Sequence, residues 1–259
     1  MVRKVYYLLL LLLVAAFLGC QWKLKSSVQQ QQQEQVMIER FDRLEIQYLT
    51  TGDYGALQHM NTEYSAQMMT LVESVLRLGH LDEPGINDRF FEFYQDSTLQ
   101  VLLSDVSRKF DNLDAINDEL SKAFERMHKM FPNLRLPRVY AQVSALDESI
   151  VVGNGLLAIS LDKYMGESYP LYLHFGYSEE QRRMMTPQYI VPDCVGFFLL
   201  SVFPPNGDES HKARVQYVVN QIMERKVFDD EQITLVEHYM QSHKELTPDK
   251  LLTEAIQII

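Results

Sequence analysis

The residues whose types and spacing imply a specific reaction are Phe17-Leu18-Gly19-Cys20, at the end of an apolar run. A cysteine directly after a small residue in this position resembles the lipobox of bacterial lipoproteins. There the thiol is acylated, because sulfur carries the diacylglycerol, and the chain is cut just before the cysteine. The pattern predicts lipidation at Cys20, although Phe17 stands where Leu is usual. The alternative is an uncleaved amino-terminal helix with an incidental cysteine.

The segment before Cys20 is organised like an export signal. Arg3 and Lys4 give it a positive start, and the run Val5–Leu18 is apolar throughout. A membrane-spanning helix needs about 20 apolar residues, whereas the core of a signal peptide needs about 7–15. The run has the second length, so residues 1–19 are predicted to be a lipoprotein signal peptide.

No other residues have the spacing of a catalytic or metal site. The chain has seven histidines, none of them in a His-Glu-x-x-His motif, and it lacks Cys-x-x-Cys, Gly-x-Ser-x-Gly and Gly-Lys-Ser/Thr. His238 and His243 are too far apart to share one face of a helix. Ser160 and Asp162 are close at a strand end, but a triad also needs a histidine that the sequence does not place there. The sequence therefore predicts no catalytic residue, no metal ligand and no cofactor.

The charge balance narrows the choice of partners. The formal net charge is −11, and loss of Arg3 and Lys4 with the signal makes it two units more negative. An acidic chain repels phosphate backbones, which argues against a nucleic-acid partner. Membrane attachment would then depend on the lipid at Cys20. Cys194 would be left as a single free thiol, which we expect to be a small buried apolar residue.

The chain after Cys20 divides into a tether and a globular domain. Residues 20–35 are rich in glutamine, with Gln29–Gln33 unbroken, and contain little that could be buried. They predict a tether, with the alternative that the glutamines begin a helix. Residues 36–259 are long enough to form one domain with a sizeable core.

The domain begins with helices and continues with a small sheet. Apolar residues recur every three or four positions in the first half, most clearly between Leu113 and Phe131. Between Arg138 and Leu146 apolar residues occupy every second position, which predicts a strand. Gly153-Asn154-Gly155 separates two apolar runs and predicts a hairpin turn between two further strands. Further helical patterns follow, with Val195–Phe203 as a buried helix. The predicted fold class is α+β: a mainly helical single domain with a small antiparallel sheet of about three strands.

A group of tyrosines follows the sheet, and it has two interpretations. They are core residues with hydroxyls bonded to loop backbone, or they form a recognition surface. We favour the first. The group consists of Tyr164, Tyr169, Tyr172, Tyr177 and Tyr189.

Several short motifs resemble the gliding-motility lipoprotein GldB family in their order and spacing. The likeness covers the chain from about Ile38 to Asp193. The motifs are Ile38-Glu-Arg-Phe-Asp42, Phe131-Pro-Asn133, Leu136-Pro137-Arg-Val-Tyr140, Leu161-Asp-Lys-Tyr-Met-Gly166 and Pro187-Gln-Tyr-Ile-Val-Pro-Asp193.

The resemblance implies a distant likeness to zinc peptidases built of helices and a sheet. In those enzymes a His-Glu-x-x-His helix follows the sheet. Here Ile190–Leu200 contains neither histidine nor glutamate, and Asp193 and Cys194 are adjacent, so they cannot chelate one ion. The resemblance thus implies a zincin-like frame without its metal site.

The family likeness, together with Cys20, implies a lipid-anchored envelope protein. We expect a non-enzymatic scaffold or assembly factor related to gliding or secretion machinery, with envelope proteins as partners. The alternatives are a hydrolase acting in the loop 162–189, or a periplasmic peptide- or glycan-binding module. We expect attachment at the outer membrane. Gln21–Lys25 has no acidic residue, whereas the tethers of surface-exported lipoproteins tend to carry them, which favours a domain that faces the periplasm.

Overall fold

A computed structural model describes residues 36–205 and 210–254 of the chain. The described residues form one compact unit around a single hydrophobic core, which confirms the single-domain α+β class. Cys20 and the predicted segments 1–19 and 20–35 lie outside the described residues, so lipidation, signal and tether stay predictions.

The first half is helical, as predicted. Helix α1 ends where Gly52 adopts a left-handed φ of 70°, and α2 begins after Asp53, whose carboxylate accepts the N–H groups of Gly55 and Ala56. The elements are α1 (Phe41–Thr51), α2 (Tyr54–Glu63), α3 (Ser65–Met69), a π-helical segment (Thr70–Val75), α4 (Ile86–Phe93), α5 (Ser97–Lys109) and α6 (Asp114–Met130).

The sheet has three strands in the order β1-β3-β2. These are β1 (Arg138–Gln142), β2 (Ile150–Gly153) and β3 (Leu156–Ser160). The predicted hairpin is confirmed: β2 and β3 pair antiparallel across Asn154 and Gly155, with φ values of 51° and 74°. Positive φ at both central residues matches the twist of the flanking strands.

The prediction of a wholly antiparallel sheet was wrong for one pairing, because β1 lies parallel to β3. The chain passes from β1 to the far edge, and β3 then returns between its two neighbours. Residues 157–159 of this central strand are fully buried, and on β1 both Tyr140 and Ala141 are buried. Burial on both faces gives apolar runs that carry no signal of strand direction.

The second half is again helical. Pro192 lies in the first turn of α9, where its missing N–H costs nothing, and the helix predicted at Val195–Phe203 is confirmed up to Val202 but is buried on one side only. The elements are a 3₁₀ turn (Leu161–Tyr164), α7 (Pro170–His174), α8 (Glu179–Met184), a second 3₁₀ turn (Pro187–Tyr189), α9 (Ile190–Val202), α10 (His211–Met223), α11 (Glu231–Ser242) and α12 (Pro248–Thr253).

Helix α9 connects the sheet to the helical layer. It packs against β2, β3, α6 and α10, and Cys194, Val195 and Leu199 are fully buried in the core. The expected burial of Cys194 is thereby confirmed. The opposite side of the helix lies at the protein surface, where the Phe197 side chain is 42% exposed.

Candidate functional site

A cavity of about 320 Å³ lies between α9, α10 and the segment that follows the sheet. The cavity is called the α9–α10 cavity below. Its walls are mostly apolar, and one carboxyl group, that of Asp193, lies in them. This combination of apolar walls and a few polar groups is typical of binding sites.

Two helical stripes face each other across this cavity. Residues of α9 and α10 line it at spacings of three and four, which places each set on one face of its helix. The two helices are in contact beside the cavity, since a Cβ added at Gly196 would lie 3.6 Å from the Val219 side chain. The stripes are Asp193, Gly196, Phe197 and Leu200 on α9, and Lys212, Val215, Gln216 and Val219 on α10.

Asp193 is the chemically distinctive group of the cavity. The Tyr164 hydroxyl donates a hydrogen bond of 2.8 Å to Asp193 Oδ2. Burial raises the pKa of Asp193 to about 7, although the hydrogen bond from Tyr164 lowers it. Loss of solvent disfavours the charged carboxylate, and the donated hydrogen bond stabilises it. Asp193 can therefore gain or lose a proton near neutral pH.

Lys163 lines the same cavity, but its charge is already bound within the protein. Its ammonium donates to the Leu146 carbonyl at 3.1 Å, the Asp147 carbonyl at 3.0 Å and the Tyr177 hydroxyl at 3.0 Å. The Nζ atom also lies 4.7 Å from the centre of the Tyr177 ring. All three N–H donors of the ammonium are used, so Lys163 stabilises the connection between β1 and β2.

Asp162, considered above as half of an incomplete triad, is buried and structural. Its carboxylate accepts the N–H groups of Ser144 at 3.0 Å and Leu146 at 2.6 Å. Burial raises the pKa of Asp162, and these backbone hydrogen bonds lower it. Ser160 is buried as well and accepts a hydrogen bond of 3.2 Å from the Gln142 amide. Both residues stabilise the sheet and its loop.

The tyrosine group follows the favoured interpretation in part. The Tyr172 hydroxyl donates to the Asp162 carbonyl at 2.6 Å, and the Tyr177 hydroxyl to the Leu146 carbonyl at 2.7 Å. Tyr164 and Tyr169 instead donate to carboxylates, those of Asp193 and Asp105. Among the five tyrosines, Tyr164 and Tyr177 line the α9–α10 cavity.

The histidines take no part in this cavity. His174 is exposed at the end of α7, and His211 is buried. The His211 ring donates from Nε2 to the Phe203 carbonyl at 2.7 Å, which holds the start of α10. Within residues 36–205 and 210–254, no group of three or more metal-ligating side chains is arranged to hold an ion.

Cys194 is adjacent to Asp193 in the chain but faces the core. Burial raises the pKa of its thiol, and the neighbouring Asp193 charge raises it further. The thiol form of a buried cysteine is a poor nucleophile. The arrangement thus offers one titratable carboxyl group in an apolar cavity, which suits ligand binding.

Sequence reasoning missed the wall that α10 contributes. Lys212 and Gln216 share a face of α10 with Val215 and Val219 and border the cavity, and no motif marked them. A search for mixed polar and apolar stripes at helical spacing would have found this face. Glu45, fully buried on α1, was also missed, since glutamate is rarely a core residue.

The described part of the chain includes no helix long and apolar enough to span a bilayer. Comparison with curated proteins and with solved structures gave no match, so the implied zincin-like frame stays a prediction. The sequence model of the gliding motility protein GldB family matches residues 21–221. This match begins before the motifs at Ile38 and extends beyond Asp193. Since it covers well over half of the sequence, the chain belongs to the gliding motility protein GldB family.

Proposed function

We propose that this protein is a lipid-anchored assembly factor of the cell envelope and not an enzyme. The lipid at Cys20 holds it at the outer membrane, and the domain faces the periplasm. There it binds protein components of the gliding or associated secretion machinery. Membership of the GldB family supports the link to motility.

The α9–α10 cavity is the observation that carries the binding role. Its margin includes two large exposed apolar side chains, Met184 at 45% and Phe197 at 42%. Exposed apolar surface beside a cavity is typical of a contact with another protein, and methionine adapts to partners of different shape. We therefore expect the partner to bind at the α9–α10 cavity and at the exposed side chains of its margin.

The hydrolase alternative would rely on Asp193. Its pKa of about 7 suits a general acid or base. A hydrolase also needs a nucleophile or an activated water, and the thiol nearest to Asp193 faces the core. The peptide-binding alternative fits the cavity better and is compatible with an assembly role.

Capture of partners from envelopes tests the proposal. The lipidated protein is purified from cross-linked envelopes of the wild type and of two variants. Phe197→Ser removes an exposed ring from the cavity margin, and Phe93→Ser removes a ring of similar exposure, 37%, from α4. We expect motility or secretion components to be lost with Phe197→Ser and kept with Phe93→Ser. Equal capture by both variants, or turnover of an envelope substrate by the purified protein, would contradict the proposal.

A further inference from the structure

Resting on the proposed role in binding protein partners, we propose that the α9–α10 cavity recognises a primary amine on a peptide. The amine is a lysine side chain of the partner, carried beside an apolar residue. The argument rests on the placement of Asp193, on the shape of the apolar walls and on the amide groups at the margin.

Within the described residues, the Asp193 carboxyl group forms no ion pair. Oδ2 accepts the Tyr164 hydroxyl, and within the described residues Oδ1 has no hydrogen-bond partner. The pKa of Asp193 follows from burial and from the Tyr164 hydrogen bond, with no contribution from a positive charge. The Lys163 ammonium is bound to the carbonyls of Leu146 and Asp147 and to the Tyr177 hydroxyl, so it does not serve as the counter-ion.

A ligand amine would supply the missing charge. An ammonium at Oδ1 forms a charge-assisted hydrogen bond, which is shorter and stronger than a neutral one. A nearby positive charge also favours the ionised carboxylate and lowers its pKa. Tyr164 already holds the other oxygen, so the carboxylate is oriented before the ligand arrives. Binding then costs little ordering of the side chain.

The cavity walls suit the apolar stem of such a ligand. Phe197 and Leu200 on α9 face Val215 and Val219 on α10 across the cavity. Lysine buries its four-carbon stem along apolar surfaces while its ammonium meets a polar partner. A cavity of about 320 Å³ lies at the lower end of the usual range for ligand sites, about 300–1,000 Å³, and accepts one or two side chains.

The margin offers amide groups to a peptide backbone. Gln216 is half-buried on α10, and within the described residues its amide makes no hydrogen bond. Gln181 uses Oε1 for the Ser178 N–H and keeps its NH₂ group for a ligand. An amide offers both donors and acceptors, as the backbone of a bound peptide requires. A lipid amine would leave these groups without partners, so we commit to a peptide.

The titratable groups around the Asp193 carboxyl determine how the affinity for the ligand depends on pH. Tyr164 faces it from the 3₁₀ turn, Cys194 adjoins it on α9, and Lys163 and Lys212 also line the cavity. The ligand amine stays protonated up to about pH 10, so Asp193 is the group that titrates near neutrality. Affinity should therefore rise with pH through about 7 and then level off.

Calorimetric titration of the full-length protein with two synthetic peptides tests the inference. One is an acetylated and amidated Leu-Lys-Leu tripeptide, and the other carries norleucine in place of lysine and so lacks the amine. We expect the lysine peptide to bind at least about tenfold more tightly at pH 8, the equivalent of one charge-assisted hydrogen bond. The preference should shrink at pH 5.

Two variants and one lipid control complete the experiment. Asp193→Asn should abolish both the preference and its pH dependence, and Asp147→Asn, at an exposed position of the nearby loop, should change neither. Equal binding of both peptides, an unaffected Asp193→Asn variant, or preferential binding to phosphatidylethanolamine vesicles would each overturn the inference. If neither peptide binds, the inference fails. The assembly role still stands when partner capture is lost with Phe197→Ser.

Discussion

The Leu146 N–H donates a hydrogen bond of 2.6 Å to the carboxylate of Asp162, and this contact holds the loop between β1 and β2 against the end of β3. Ala145 and Leu146 have φ values of 52° and 67°, a region that L-residues rarely adopt. Ser144 donates its N–H to the same carboxylate at 3.0 Å. Backbone N–H groups in such a turn form a concave anion site, and Asp162 fills it from within the protein.

Asp162→Asn should destabilise the protein. The substitution keeps the size of the side chain but places an NH₂ group against backbone donors. A buried donor without an acceptor costs about 1–3 kcal/mol, so we expect the free energy of unfolding to fall by about 2 kcal/mol. Urea unfolding measures this. Asp147→Asn, at an exposed position of the same loop, serves as the control. Similar unfolding of both variants would show that the carboxylate does not hold the loop.

Glu45→Gln should flatten the dependence of stability on pH. Burial raises the pKa of Glu45 well above its usual range; the Val143 N–H hydrogen bond lowers it, and the charges of Asp162 and Asp42 raise it. The folded state then keeps a proton that the unfolded state loses, so stability falls as pH rises above the ordinary glutamate pKa. Glutamine cannot ionise.

The free energy of unfolding of the Glu45→Gln variant, measured between about pH 5 and pH 8, should decline less than that of the wild type. Part of the decline should remain, because burial also raises the pKa values of Asp162 and Asp193. Glu92→Gln, at an exposed position, is the control. A steeper decline in Glu45→Gln would mean that Glu45 is ionised in the folded protein.

Tyr164→Phe should raise the pKa of Asp193 further above about 7. The substitution removes the hydroxyl that donates to Oδ2 at 2.8 Å and stabilises the carboxylate. A carbon-13 NMR titration of the aspartate carboxyl groups measures the shift. Tyr177→Phe provides a matched control, since that hydroxyl donates to the Leu146 carbonyl. An unchanged or lower pKa in Tyr164→Phe would refute the role given to this hydrogen bond.

Cys20→Ser should release the protein from membranes or leave its precursor uncut. The acylated sulfur is the only membrane attachment that the sequence pattern predicts. Membrane fractionation and the mobility of the precursor on gels report the outcome. Cys194→Ala removes the other cysteine of the chain and should leave attachment unchanged. Normal processing together with full membrane retention of Cys20→Ser would disprove lipidation. Protease treatment of intact cells tests the orientation, and rapid digestion would argue against a periplasmic domain.

The purified protein should hold no stoichiometric zinc and should hydrolyse no peptide. Asp193 is the one carboxylate between Met184 and Phe203 and is bonded to Tyr164, and the Cys194 thiol faces the core. A catalytic zinc needs about three protein ligands and a water. Elemental analysis of the protein purified from cells in a zinc-containing medium measures the number of zinc ions per chain. One tightly held zinc per chain, lost on substitution of His174 or Asp193, would overturn this prediction and the preference for an assembly factor.

The sequence by itself determined the helices and the family. Apolar residues at helical spacing predicted α6, because a helix that packs on a core must place its apolar side chains on one face, and the apolar run Val195–Phe203 predicted a buried helix within α9. The turn at Asn154 and Gly155 could be predicted because it needs positive φ, which glycine and asparagine tolerate better than other residues. The GldB motifs were recognised by their order, which needs no coordinates.

Only the tertiary structure decided the strand order, the buried carboxyl groups and the cavity. The parallel pairing of β1 with β3 depends on contacts between distant segments, since strands buried on both faces show no pattern of direction. Asp162 and Glu45 are buried because backbone N–H groups of the β1–β2 connection bind them, and no local spacing reveals those partners. Asp193 acquires its raised pKa from the apolar surfaces that α9 and α10 bring together around it, and such an environment exists only once the helices have packed.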